Sequence, residues 1–77
     1  MIATHIIESV KFDNNNIFLL IDGKEKKIAL VDISKKLQSA NDIQRQMFTI
    51  SPSGYGIHWP LIDEDLSIDS ILKSQID

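Results

Sequence analysis

Asp22-Gly23 stands between two strand-like runs, IFLLI at 17–21 and KEKKIALVDI at 24–33. A two-residue loop of this kind uses positive φ and joins antiparallel neighbours in a fixed register. It commits the front of the chain to a hairpin, with Gly23 as a structural residue. IFLLI is apolar on both parities, which predicts a central strand covered on two sides. Its return strand is expected from about Glu25 to Val31. Upstream, HIIESVKF at 5–12 puts Ile6, Val10 and Phe12 on one parity, with Ile7 out of pattern. DNNN at 13–16 supplies the intervening turn, because short polar side chains bond their own backbone. The first half therefore reads as a three-stranded antiparallel meander.

The second half begins with short helical signals. Ile33 and Leu37 are one turn apart, and Asp32 or Ser34 could cap that turn. Asn41 could cap another, with Ile43 and Met47 on its apolar side. Ser51-Pro52-Ser53-Gly54 is a turn, with Gly54 suited to positive φ. YGIHW then alternates cleanly, placing Tyr55, Ile57 and Trp59 inward and Gly56 and His58 outward. Pro60 stops that strand, since it has no N–H for a ladder. Ile68, Ile71, Leu72, Gln75 and Ile76 recur at helical spacing, with Ser67 as cap and Asp69 in the first turn. The expected fold is α+β: a small curved antiparallel sheet in the order βββ, short helical connector, ββ, α. One domain spans residues 1–77, because a chain of this length has no room for a second core.

Composition narrows the chemistry. With no cysteine, disulfides, thiolate catalysis and cysteine-bearing zinc sites are excluded, and the chain suits the reducing cytoplasm. No secretory signal or membrane-length apolar window is present, so no membrane association is expected. A formal charge of −3 disfavours nonspecific attraction to DNA, although a local basic patch remains open.

Asp63-Glu64-Asp65 is the most provocative group. Adjacent carboxylates can hold a cation or work as acid and base, but the EF-hand spacing is missing and consecutive residues point different ways. A solvated turn with Asp65 near a helix start accounts for most of it, leaving Asp63 and Glu64 as candidate partner contacts. His58 is an outward polar residue and a further candidate contact. With His5 it supplies two imidazoles, one ligand short of a usual catalytic zinc. Trp59 reads as a core anchor whose indole N–H finds a carbonyl, packing the sheet on the C-terminal helix. Ser53-Gly54-Tyr55-Gly56 lacks the lysine and following helix of a phosphate loop. Lys24, Lys26, Lys27, Lys35 and Lys36 form either an anion-facing edge or one that discourages sheet pairing. No catalytic residue, metal or cofactor is assigned, and no enzymatic activity is expected.

Val10-Lys11-Phe12, Asp22-Gly23, Leu30-Val31-Asp32-Ile33 and, most distinctively, Tyr55-Gly56-Ile57-His58-Trp59-Pro60 through Asp63-Glu64-Asp65-Leu66-Ser67 carry a family resemblance. The chain resembles the bacterial family known as domain of unknown function 2442. The resemblance implies an α+β domain with a curved antiparallel sheet, in some members fused to a helix-turn-helix module. No such module is expected here after Asp77. It also implies a standalone member encoded beside a second small protein, in an arrangement similar to a toxin–antitoxin pair with this chain as antitoxin. The family supplies no catalytic residues. The expected function is a noncatalytic protein-binding module. The alternative is a nucleic-acid-linked transcriptional regulator or regulatory subunit, and pairing of free sheet edges leaves a homo-oligomer open.

Overall fold

The computed structural model describes residues 5–73. β1 (Ile7–Phe12), β2 (Asn16–Ile21) and β3 (Lys24–Ala29) form one antiparallel sheet with β2 in the centre. Three short helices follow, α1 (Leu30–Ile33), α2 (Lys35–Ser39) and α3 (Asp42–Gln46). β4 (Thr49–Ile50), β5 (Gly56–Trp59) and β6 (Glu64–Ser67) make a second antiparallel sheet with β5 central, and α4 (Ile68–Lys73) comes last. The α+β class is as expected, but the strands divide between two sheets, and a sixth strand arises where an acidic turn was expected. Gln75 and Ile76, expected on the last helix, lie outside the described residues. No helix among those described is long and apolar enough to cross a membrane.

The first sheet is built as the hairpin signal requires. Asp22 and Gly23 take φ of 52° and 80°, the primed turn whose twist matches the flanking strands. Ile17, Leu19 and Ile21 are buried, whereas Phe18 and Leu20 are only half-buried. The expected two-sided cover of β2 is thus one-sided. On the outer face the Lys27 ammonium lies 6.0 Å from the Phe18 ring centroid. The expected parity also fails at Ile6. Register slips between Ile7 and Ser9, leaving Glu8 as an extra residue. Beyond that bulge Val10 and Phe12 share the core face with Ile7, and Ile6 is left 69% exposed. β3 ends at Ala29 rather than Val31, because Leu30 opens a helical turn and donates its N–H to the Asn15 carbonyl.

Arg45 joins the halves. Its guanidinium donates from Nε to the Leu37 carbonyl (3.0 Å), from Nη1 to Asp13 (2.9 Å), and from Nη2 to Asn14 (3.2 Å) and Gln38 (2.9 Å). Two of these acceptors are carbonyls in the last turn of α2, where helices run out of intrahelical donors, although that of Leu37 also accepts the Ala40 N–H. The other two belong to the β1–β2 turn, which Asp13 has already shaped by accepting the N–H groups of Asn15 and Asn16. α3 presents Arg45 inward through a capping box between Asn41 and Gln44. The other side of that helix carries Ile43 and Met47, which are exposed and not part of the core as their spacing suggested.

Trp59 is fully buried, and its indole N–H donates to the Arg45 carbonyl at 3.1 Å. Its ring neighbours are Phe12, edge-on with centroids 6.5 Å apart, and Phe48 at 6.4 Å. Trp59 therefore ties β5 to β1 and to the chain entering β4, beyond its expected packing with Ile68 and Ile71 of α4 in the same core. Trp59→Ala should cost about 3–5 kcal/mol. In a domain of this size that lowers Tm by more than about 12 °C, while Trp59→Phe should fall between the two. Thermal melts of the three proteins test this; an unchanged Tm for Trp59→Ala contradicts it.

Candidate functional site

β5 and β6 pair Gly56 with Ser67, Ile57 with Leu66, His58 with Asp65 and Trp59 with Glu64. Because side chains alternate along a strand, Ile57 and Trp59 enter the core while His58 and Asp65 stand on the opposite face. Thr49 of β4 is the neighbour of His58 on its other side. That outward face is a groove of about 530 Å³ lined by Pro52, Tyr55, Gly56, His58 and Asp65 among others. At one end Tyr55 is 47% exposed, whereas Ile50, 38% exposed on its edge strand, pairs with inward-facing Ile57 and so stands on the opposite face. Tyr55 does not face inward as the alternation of YGIHW suggested. It precedes β5, in a turn held by Ser51, whose hydroxyl oxygen accepts the N–H groups of Tyr55 and Gly56.

At the other end His58 Nδ1 donates to Asp65 Oδ1 at 2.5 Å. The His58 side chain is 42% and the Asp65 side chain 77% exposed, so both reach solvent. Asp65 is a strand residue here and does not lie at the start of α4. That cap is Ser67, whose hydroxyl oxygen accepts the Ser70 N–H at 3.1 Å. Glu64 points the other way: its Oε2 accepts the Ser34 hydroxyl at 2.6 Å, and Ser34 in turn caps α2. Asp63 sits in the turn after Pro60 with φ of 52°, and its carbonyl accepts Lys36 Nζ. Three consecutive acids thus do three different things, and only Asp65 lines the groove. Among the described residues no group of three or more His, Asp or Glu is placed to hold a metal ion.

His5 lies elsewhere, on carboxylates of its own. Nδ1 is 2.9 Å from Asp22 Oδ2 and Nε2 is 3.0 Å from Asp69 Oδ1. The Ile6 N–H also donates to Asp22 Oδ1, at 2.8 Å. His5 thereby connects the β2–β3 turn to α4. Gly54, at φ of 68°, packs so closely on the His5 backbone that a Cβ there would lie 1.7 Å from the His5 carbonyl oxygen. No sequence signal marks these partners, which lie 17 and 64 residues from His5.

Both His5 ring nitrogens can donate only when the imidazole is protonated. The bond to Asp22, then that to Asp69, raises its pKa above the usual 6.5, against a smaller opposing effect of burial. Asp22 is lowered from 3.8, first by the Ile6 N–H and then by His5. A raised imidazole contributes stability that is complete below the unfolded value of about 6.5 and lost as pH rises through the folded one. A lowered carboxyl contributes above about 3.8 and loses that as pH falls. Stability from this contact should therefore peak between those limits. His5→Gln should remove the decline on the alkaline side, as read from melts at a series of pH values. An unaltered alkaline decline contradicts the assignment.

Comparison with other proteins places the architecture. Over residues 7–77 the chain matches the family described as Protein of unknown function (DUF2442). The crystal structure of a protein of unknown function from Rhodospirillum rubrum ATCC 11170 shares the fold, with a TM-score of 0.72 at 22% sequence identity. The similarity covers 92% of this chain and 88% of that one. No curated protein matches. With a family match running from β1 through α4 and beyond, the chain belongs to the DUF2442 family of proteins of unknown function.

Proposed function

We propose that this chain is a noncatalytic protein-binding module, the antitoxin-like member of a pair, which takes up a small partner protein on the outward face of β4–β5–β6. The observation that carries the reading is the groove itself. It brings half-exposed Tyr55 to the rim of a face that the core does not use, where Thr49 and the solvent-facing His58–Asp65 pair stand side by side. Tyrosine is a favoured anchor in such interfaces because it buries a rigid, amphipathic ring. The net charge of −3 suits a basic partner, since complementary charge speeds and orients docking. The absence of cysteine suits action in the cytoplasm.

A second reading, contact with nucleic acid, draws on the outer face of the first sheet. Register places Phe18 directly between Lys11 and Lys27, an aromatic ring flanked by two cations. Such a row can stack a base and hold phosphates. Two phosphate contacts on a single strand give a salt slope near −1.4 in log K against log salt.

Coexpression with the product of the neighbouring gene decides between them. The first reading expects relief of that product's toxicity and copurification of the two proteins. The variant Tyr55→Ser, at a surface position, should weaken the complex by roughly 30-fold, or about 2 kcal/mol. Failure of the wild type in both assays sinks this reading. Binding of single-stranded DNA by the protein alone, weakened by salt and by Phe18→Ala, would favour the second.

A further inference from the structure

The free edge of the first sheet carries both backbone groups and charges that fit a second copy of itself. We propose that the chain self-associates along β3, with two copies pairing β3 to β3 antiparallel about Lys26. The two three-stranded sheets then join into one of six strands. This contact uses the first sheet and not the groove of the second, so it can stand or fail independently of the protein-binding reading above.

Strand order β1–β2–β3 leaves β3 at an edge, and its register with β2 runs unbroken from Lys24 to Ala29. The two-residue Asp22-Gly23 turn is closed by Ile21 and Lys24, the pair that exchanges N–H···O bonds in such a hairpin. Bonded and unbonded pairs alternate from there, so Lys24, Lys26 and Ile28 direct their backbone groups to β2. The Leu30 N–H, next in that series, donates to the Asn15 carbonyl as the alternation requires. Glu25, Lys27 and Ala29 therefore turn theirs outward. Ala29 is the N-cap of α1, so its carbonyl serves that helix. One N–H and one C=O remain open on each of Glu25 and Lys27, both exposed residues. Among the described residues no other chain segment bonds to these groups.

Lysines on an edge ordinarily discourage pairing; here the charges select one register. In an antiparallel pair about a two-fold axis, outward residues must face outward residues. Centring on Glu25 sets carboxylate against carboxylate, and centring on Lys27 sets ammonium against ammonium with Glu25 opposite Ala29. Centring on Ile28 sends Glu25 against Val31, which is already in α1. Centring on Lys26 puts Glu25 opposite Lys27 of the second copy, and Lys27 opposite its Glu25. All the open groups of both residues are then bonded. Two opposite-charge pairs form on the outer face, beside Leu20 and Phe18. The cost is Lys26 facing its counterpart on the other face, where long stems can part and keep both ammonium groups in water. Because each copy spends its β3 edge, the contact closes at two.

A contact limited to one strand edge falls below the roughly 1,200 Å² of standard interfaces, so the association is weak. Sedimentation equilibrium from about 10 µM to about 1 mM protein covers the range in which the wild type should pass from monomer to dimer. Over the same range the Glu25 and Lys27 amides should gain protection from hydrogen exchange. Glu25→Lys and Lys27→Glu, at exposed positions, should each weaken the dimer about tenfold or more, because both cross-strand pairs then repel. Mixed in equal amounts, the two variants should pair with each other to within about threefold of the wild type, with the same two positions protected. A wild type still monomeric at about 1 mM, single variants as tight as the wild type, or no recovery on mixing would overturn the inference. Protection of these amides only in the presence of the coexpressed partner protein would give the edge to that protein and overturn self-pairing as well.

Discussion

The guanidinium of Arg45 is where the two halves of the molecule meet. It is 6% exposed and donates four hydrogen bonds to the backbone carbonyls of Asp13, Asn14, Leu37 and Gln38. These carbonyls come from a strand turn and from the end of a short helix, where, among the described residues, only that of Leu37 also accepts a local backbone bond, from the Ala40 N–H. Arg45's own carbonyl accepts the Trp59 indole N–H, and its guanidinium carbon lies 5.8 Å from the Phe12 ring centroid. One residue therefore links β1, the helical connector and β5. A buried charge without its partners costs several kcal/mol, so this arrangement is stable only when all the contributing segments are in place.

The groove depends on that node through Trp59. Burying Trp59 sets the parity of β5, and that parity puts His58 on the outward face opposite Asp65. The turn before β5 is fixed independently: Ser51 holds the N–H groups of Tyr55 and Gly56, and Gly54 fits against the His5 backbone. Tyr55 is consequently displayed at the groove end. A side chain at Gly54 would push away His5, and with it the contact from the first hairpin to α4. Interior and outward positions are thus divided by face. Glu64 and Trp59 serve the interior, and Asp65 and His58 the surface, on alternating positions of the same two strands.

Local chemistry was legible in the sequence. Asp22-Gly23 demanded a primed turn and made one; Ser34, Asn41 and Ser67 are helix caps because each has an N–H within reach three residues on. What could not be read depends on distant partners. The Glu8 bulge exchanges the faces of β1, and no residue type announces it. DEDLS has the composition of a turn, yet Glu64–Ser67 is a strand because β5 offers an open edge to pair with. Ile43 and Met47 have the spacing of a buried stripe, but the packing of α3 is decided by Arg45 on its other side. The groove shares this origin: its residues lie on separate segments joined only by strand pairing.

The most direct measurement is equilibrium urea unfolding of Arg45→Met and Arg45→Lys beside the wild type. Methionine keeps the apolar stem and removes every donor, leaving carbonyls that cost about 1–3 kcal/mol each where water cannot reach them. Lysine restores a charge with three donors but not the planar fork. The account predicts a loss of about 3 kcal/mol or more for methionine and a smaller but clear loss for lysine. Stabilities of both variants within about 0.5 kcal/mol of the wild type, the range of an ordinary surface change, would contradict it.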